Sequence, residues 1–226
     1  MLQDVLARPD VWRGDRSPAA PLPIMATGFA ALDAELPGGG WPHGALTELL
    51  VDGSGLGELS LLTFALAGIR ESGGWSLLVA PPYPLHAPAW AVAGVDLAHL
   101  AVVSPVSGRD ALWAMEQALA SSAPRAVVGW APYADSRAVR RLQVAAAGSD
   151  ALAFLFRSTR MAVDASAAPL RLQLAGEAGK LAVRILKRRG PPLAAAICLA
   201  LPRPARLHRH EPALAGHPVP RQLAAV

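Results

Sequence analysis

The sequence has very little cysteine, almost no lysine and no long apolar run. Its 226 residues include one cysteine, Cys198, so no disulfide can form within the chain. Hydrophobic residues make up 53% of the chain, but no run reaches the roughly 20 residues of a membrane helix. The start, Met1-Leu2-Gln3-Asp4, lacks the regions of a signal peptide. We therefore expect a cytoplasmic protein without membrane contact, in which Cys198 is a buried strand thiol.

Charge is distributed unevenly along the chain. Residues 1–130 carry 6 basic and 12 acidic side chains, whereas residues 131–226 carry 15 basic and 5 acidic ones. Only Lys180 and Lys187 among the basic residues are lysines. A basic half favours contact with nucleic acid or with an acidic partner. An arginine-rich solvated surface is the alternative interpretation.

Apolar segments and helical patterns alternate through most of the chain. The patterns predict strands at 46–51, 75–80, 100–103, 126–130 and 151–156, with helices near 59–72, 87–93, 109–121 and 136–147. Three further strands, at 170–174, 181–186 and 193–201, follow without helices between them. The expected fold is therefore α/β, a mostly parallel sheet flanked by helices with antiparallel strands at its C-terminal end.

The composition divides the chain into three regions. Residues 1–24 contain a short amphipathic segment, Trp12-Arg13 and a proline-rich linker; residues 25–201 hold the α/β core; residues 202–226 form a tail rich in proline and arginine. Within the core, Thr27 is the expected N-cap of a short helix. Both end regions are candidates for partner contact, because they offer apolar or basic anchors without a core of their own.

A glycine-rich stretch between a strand and a helix is the main functional candidate. Gly53, Ser54, Gly55 and Gly57 lie where a phosphate-binding loop would lie in a nucleotide-binding domain. Such a loop needs a lysine against the phosphate charge, but here that position holds Gly57 or Glu58, depending on the placement of one gap. Either a loop that only turns the chain or residual nucleotide binding through backbone N–H groups fits this pattern.

The order of several short motifs resembles the RecA core. The lead-in is Thr27-Gly28, Leu32-Asp33, Gly39-Gly40, Pro42, Gly44 and Glu48, and the late basic strand is Val183–Lys187 followed by Arg188-Arg189. This resemblance covers roughly residues 25–200. It implies a RecA-like fold.

The departures from RecA concern its catalytic groups. The strand Ala126–Trp130 ends without the carboxylate that would hold Mg²⁺, and Pro82 stands where that family places its water-activating glutamate. With the lysine also missing, three parts of an ATPase are absent. We expect no enzymatic activity, no ATP and no metal.

A RecA-like fold with lost catalytic groups, a leading Val11-Trp12-Arg13-Gly14 and an arginine-rich tail resembles the ImuA family. The resemblance implies a non-catalytic adaptor of SOS-induced, error-prone translesion DNA synthesis that binds ImuB, an inactive Y-family polymerase homologue, and RecA. DNA contact through the basic half is a further expectation. The alternatives are a nucleotide-binding regulator of RecA filaments and a SulA-like cell-division inhibitor. The candidate residues for DNA or partner binding are Trp12, Arg13, Arg157, Lys187, Arg188 and Arg189.

Overall fold

A computed structural model of the chain describes residues 23–190, 193 and 195–202. The strands are β1 Ile24–Met25, β2 Trp41–Pro42, β3 Ala45–Leu50, β4 Trp75–Val79, β5 Leu100–Val103, β6 Pro124–Trp130, β7 Leu152–Arg157, β8 Leu170–Glu177, β9 Lys180–Lys187 and β10 Ile197–Leu199. The α-helices are α1 Ala30–Asp33, α2 Ser60–Gly68, α3 Ala87–Val92, α4 Gly108–Ser121 and α5 Ser136–Ala147. Short 3₁₀ helices cover Ile69–Ser72, Leu97–His99 and Thr159–Val163.

One twisted sheet organises these elements. Within the described residues it has eight strands in the order β10-β9-β8-β3-β7-β6-β4-β5. The strands from β8 to β5 pair in parallel, while β8, β9 and β10 pair antiparallel. The small β1–β2 ribbon lies beside the sheet as a separate pair. The predicted α/β fold, with a parallel centre and an antiparallel C-terminal extension, is confirmed.

Apolar side chains fill both faces of the sheet. Along β7 the residues alternate, so Phe154 and Phe156 belong to the core under α2, and Leu155 belongs to the core under α4 and α5. Met115 of α4 and Leu142 of α5 are among the buried residues of that second core. This period-two alternation is what a sheet covered on both faces requires.

Two local predictions differ from the structure. Helix α1 begins at Ala30, and Thr27 acts before it: its hydroxyl accepts from Phe29 N (3.0 Å) and its own N–H donates to Asp33 Oδ1 (2.9 Å). Thr27 therefore fixes the turn into α1 but is not its N-cap. Cys198 was expected to be buried, yet it is exposed, because β10 is the outer strand and its side chain faces away from the core.

Other predictions concern parts that the structure covers only in part or not at all. Trp12 and Arg13 lie outside the described residues, as do nearly all of the predicted end regions 1–24 and 202–226. No helix in the described part of the chain is both long and apolar enough to span a bilayer.

Candidate functional site

A cleft opens over the carboxyl ends of the parallel strands, where the candidate phosphate loop lies. It has a volume of about 490 Å³. Residues Val51–Ser54 form one side of it, Pro82, Trp130 and Tyr133 form another, and Arg160 follows β7 at the rim. This is the position at which open α/β sheets bind ligands. The loop and its surroundings therefore decide what the site can hold.

The loop has the backbone of a phosphate loop but is partly filled by the chain itself. Gly53, Gly55 and Gly57 have positive φ angles of 86°, 88° and 84°, a conformation that favours glycine. A Cβ at Gly53 or Gly55 would meet open space. At Gly57 a Cβ would collide with the Leu201 side chain, which follows β10 and lies against the loop. Leu201, near the end of the described chain, thus covers the glycine nearest α2.

The ionisable residues at the loop, Asp52 and Glu58, are acidic. Glu58 lies between Gly57 and α2 with only 7% of its surface exposed, and its Oε2 has no hydrogen-bond partner among the described residues. A carboxyl group there disfavours a triphosphate, because it supplies none of the positive charge that phosphates need. The residues present therefore do not fit ATP with Mg²⁺ in the way that an active phosphate loop does.

Asp52 ties the loop to the neighbouring strand. Its carboxylate accepts hydrogen bonds from Ser158 Oγ (3.1 Å), Thr159 N (3.0 Å) and the Thr159 hydroxyl. These bonds, that of the Thr159 hydroxyl first, hold the pKa of Asp52 below its ordinary value. The carboxylate therefore acts as a clamp between the ends of β3 and β7.

The other expected catalytic positions are apolar. Trp130, at the carboxyl end of β6, stacks on Phe156 with the ring centroids 5.0 Å apart and the planes within 10°. Pro82 borders the same cleft after β4. Neither side chain can bind a metal or take a proton.

Behind the cleft, one buried carboxylate holds two buried arginines. Glu48 of β3 is fully buried and pairs with Arg157 of β7 and Arg171 of β8, at 0% and 7% side-chain exposure. The three strands are adjacent in the sheet. Arg157 also donates to the Ala134 carbonyl, and Arg171 donates to the carbonyls of Met161 (2.8 Å) and Asp164 (3.0 Å). This cluster fastens the loops before α5 and after β7 to the sheet.

The position of Arg157 differs from the sequence prediction. We expected it to bind DNA or a partner, as Lys187, Arg188 and Arg189 would, but its guanidinium is buried and pairs with Glu48 on the adjacent strand. Sequence reasoning missed Arg171 altogether. The available signal was Glu48 in a buried strand, which required a cation from a neighbouring strand that only the sheet order identifies.

The basic residues at the end of β9 lie away from the phosphate loop. Lys187 pairs with Arg171, near the start of β8, and Arg171 pairs with Glu48 of β3, so β9 ends level with Glu48 and runs away from the carboxyl end of β3. Lys187 and Arg189 are exposed, with Lys187 Nζ donating to the Ser166 carbonyl (2.8 Å). Arg188 is half-buried and pairs with Glu35 (2.9 Å). These three residues lie at or just after the end of β9, and β8 and β3 stand between that strand and β7, which carries Arg157.

Comparison with known proteins gives one recurring similarity. No protein-family model matches the chain. The chain is 33% identical to Protein RecA of Chlorobaculum tepidum over 115 residues, which are 51% of this chain and 33% of that protein. It is 34% identical to Protein RecA of Crocosphaera subtropica over 104 residues, 46% of this chain and 29% of the relative. The chain spans about a third of the length of the curated relatives it matches. It is therefore a distant, partial homologue of RecA.

Proposed function

We propose that the protein is a non-catalytic RecA-like accessory protein of SOS-induced, error-prone translesion synthesis, which binds an ImuB-type inactive polymerase homologue and RecA. The observation that carries this proposal is the phosphate loop itself. Leu201 covers Gly57, and Glu58, which follows it, is buried, so neither candidate for the lysine position of an ATPase supplies a positive charge. On this proposal, a RecA-like domain with this loop keeps the fold but does not hydrolyse ATP.

The similarity to RecA supports a role beside RecA or DNA. A domain that shares its fold with RecA can present RecA-like surfaces without hydrolysing nucleotide. Lys187 and Arg189 supply exposed positive charge at one end of β9, which suits either DNA phosphates or an acidic protein surface. Trp12 and Arg13 remain candidate anchors of the N-terminal region.

A residual nucleotide-binding regulator of RecA filaments is the second candidate. The specific observation in its favour is the open space around Gly53 and Gly55, whose backbone conformation leaves room for an anion. On this alternative, nucleotide is a ligand without turnover. The acidic surroundings of the loop, Asp52 and Glu58, weigh against it.

Binding of the full chain to purified ImuB and purified RecA tests the adaptor proposal. With the chain immobilised for biolayer interferometry, we expect saturable binding to at least one of the two proteins without nucleotide. Replacing Lys187 and Arg189 together by Ala should weaken the association and reduce its salt dependence, while replacing the exposed Arg125, which pairs with Asp150, should not. Absence of binding to both proteins would contradict the proposal.

A further inference from the structure

A second cleft lies between the N-terminal turns of α4 and α5, beside the loop 131–135. Its volume is about 500 Å³. Its interior is apolar, with the buried side chains of Ala134 and Leu142 beside Leu112. Two large aromatic side chains, Trp113 and Tyr133, line the cleft while remaining 59% and 71% exposed. The cleft thus combines an apolar interior with two solvated aromatic rings.

Trp113 and Tyr133 take no part in the aromatic ring contacts of the described residues. Those contacts join Trp41 to Phe154, Trp75 to His99 and Trp130 to Phe156. Aromatic side chains beside an apolar depression are typical of protein-binding surfaces, because their burial yields a large favourable area with little loss of side-chain freedom. The pair therefore points to a ligand that covers it.

The charges around the cleft favour an acidic ligand. Both carboxylates that line it are already engaged: Glu116 pairs with Arg141 across the two helices, and Asp135 caps α5 by accepting from Ala138 N (2.7 Å). Arg109 lines the cleft, and Arg137, which is not a lining residue, lies one helical turn before the lining residue Arg141 on the same face of α5. Neither of these arginines has an ion-pair partner among the described residues. The unengaged charge at the rim is therefore positive.

We propose that this cleft binds a short acidic peptide segment of a partner protein. A bulky apolar side chain of the peptide enters between Trp113 and Tyr133, and flanking carboxylates lie near Arg109 and Arg137. A nucleic acid fits less well, because the concave apolar interior offers no flat platform for successive bases. The inference rests on the adaptor function proposed above and names a surface for it.

Selection from a library of short random peptides tests the proposal on the immobilised full chain. We expect the enriched peptides to carry a leucine or aromatic residue flanked by Asp or Glu. By fluorescence anisotropy, the selected peptide should bind Trp113→Ala about 10-fold more weakly or worse, and Arg109→Glu should also weaken it. Trp75→Ala is the matched control, since Trp75 is 49% exposed but lies on β4 against His99; its affinity should equal that of the wild type.

Three results would overturn the proposal. These are a selection without an acidic and apolar consensus, equal loss of binding in Trp113→Ala and Trp75→Ala, and displacement of the selected peptide by oligo-dT. The interferometry experiment with ImuB and RecA distinguishes failure of the cleft proposal from failure of the adaptor proposal. If that binding persists in Trp113→Ala and the peptide selection fails, the cleft is not the docking site and the adaptor function stands. If both experiments fail, both proposals are contradicted.

Discussion

The side chain of Leu201 lies against the backbone of Gly57, so close that the glycine has no room for a Cβ atom. Gly57 belongs to the loop before α2, and Leu201 lies two residues after the outermost strand of the antiparallel extension. The C-terminal strands therefore do more than widen the sheet. They bring an apolar side chain onto the candidate phosphate loop.

This contact predicts different effects for two neighbouring glycines. Gly53→Ala and Gly57→Ala both place an alanine in a left-handed conformation, which costs about 1 kcal/mol. Gly57→Ala must also displace Leu201, so it should lower the free energy of unfolding by about 1 kcal/mol more. Urea denaturation measures both values. In a Leu201→Ala background the two substitutions should become equivalent, and a difference that persists there would rule out the contact as its cause.

The buried cluster of Glu48, Arg157 and Arg171 predicts a large loss of stability on neutralisation. Glu48→Gln leaves two buried guanidinium groups without a counter-charge, so the free energy of unfolding should fall by about 3 to 5 kcal/mol. Glu116→Gln breaks the solvated pair with Arg141 and should cost less than about 1 kcal/mol. Denaturant unfolding of both variants makes the comparison. Similar losses would mean that the Glu48 cluster is not desolvated as described.

The clamp formed by Asp52 predicts a pH-dependent contribution to stability. Its pKa is lowered from the ordinary value of 3.8 in the folded protein, chiefly by the Thr159 hydroxyl. A lowered pKa means that folding favours the ionised form, so the contribution is complete well above pH 3.8 and is lost as the pH falls through the folded-state pKa. The difference in unfolding free energy between wild type and Asp52→Asn should therefore shrink as the pH falls below 3.8 and through the folded-state pKa.

Thr159→Val is the control for the clamp. It removes the hydroxyl donor and keeps the shape of the side chain. The difference in unfolding free energy between Thr159→Val and the double variant Thr159→Val/Asp52→Asn should therefore depend less on pH than the difference between wild type and Asp52→Asn. Urea midpoints at several pH values provide the data. An unchanged pH dependence would show that the hydroxyl does not set the pKa of Asp52.

The ends of the chain carry a further prediction about partners. Trp12→Ala combined with Arg13→Ala, or removal of residues 202–226, should weaken ImuB binding, because these regions offer anchors outside the core. Interferometry with purified ImuB measures the change. If a chain shortened to residues 25–200 binds ImuB as tightly as the full protein, the partner contact lies in the core.

The pattern of apolar and polar residues was sufficient to predict the α/β fold. Helix α5 was expected at 136–147 and β5 at 100–103, and both have these bounds in the structure. Such agreement arises because apolar periodicity and turn residues are local signals. The β1–β2 ribbon was not predicted, since two residues in each strand leave no periodicity to read.

The site was predictable only where the signal was local. The positions of Trp130 at the carboxyl end of β6 and of Pro82 after β4 could be predicted from the strand ends alone. Arg157, by contrast, was predicted to bind DNA or a partner, because nothing in its own sequence neighbourhood shows that Glu48 lies on the adjacent strand. Leu201 on Gly57 depends on the antiparallel return of β10, and Trp113 with Tyr133 depends on the packing of α4 beside α5. Such contacts require the tertiary structure.

Isothermal titration of the full chain with ATP and Mg²⁺, run beside a phosphate-release assay, tests the central claim most directly. We predict no binding tighter than about 1 mM and no release of phosphate, because Leu201 covers Gly57 and Glu58 opposes the phosphates. Micromolar binding without turnover would instead favour the nucleotide-binding regulator. Turnover of ATP would contradict the account, since it requires catalytic groups that neither the loop nor the ends of β4 and β6 contain.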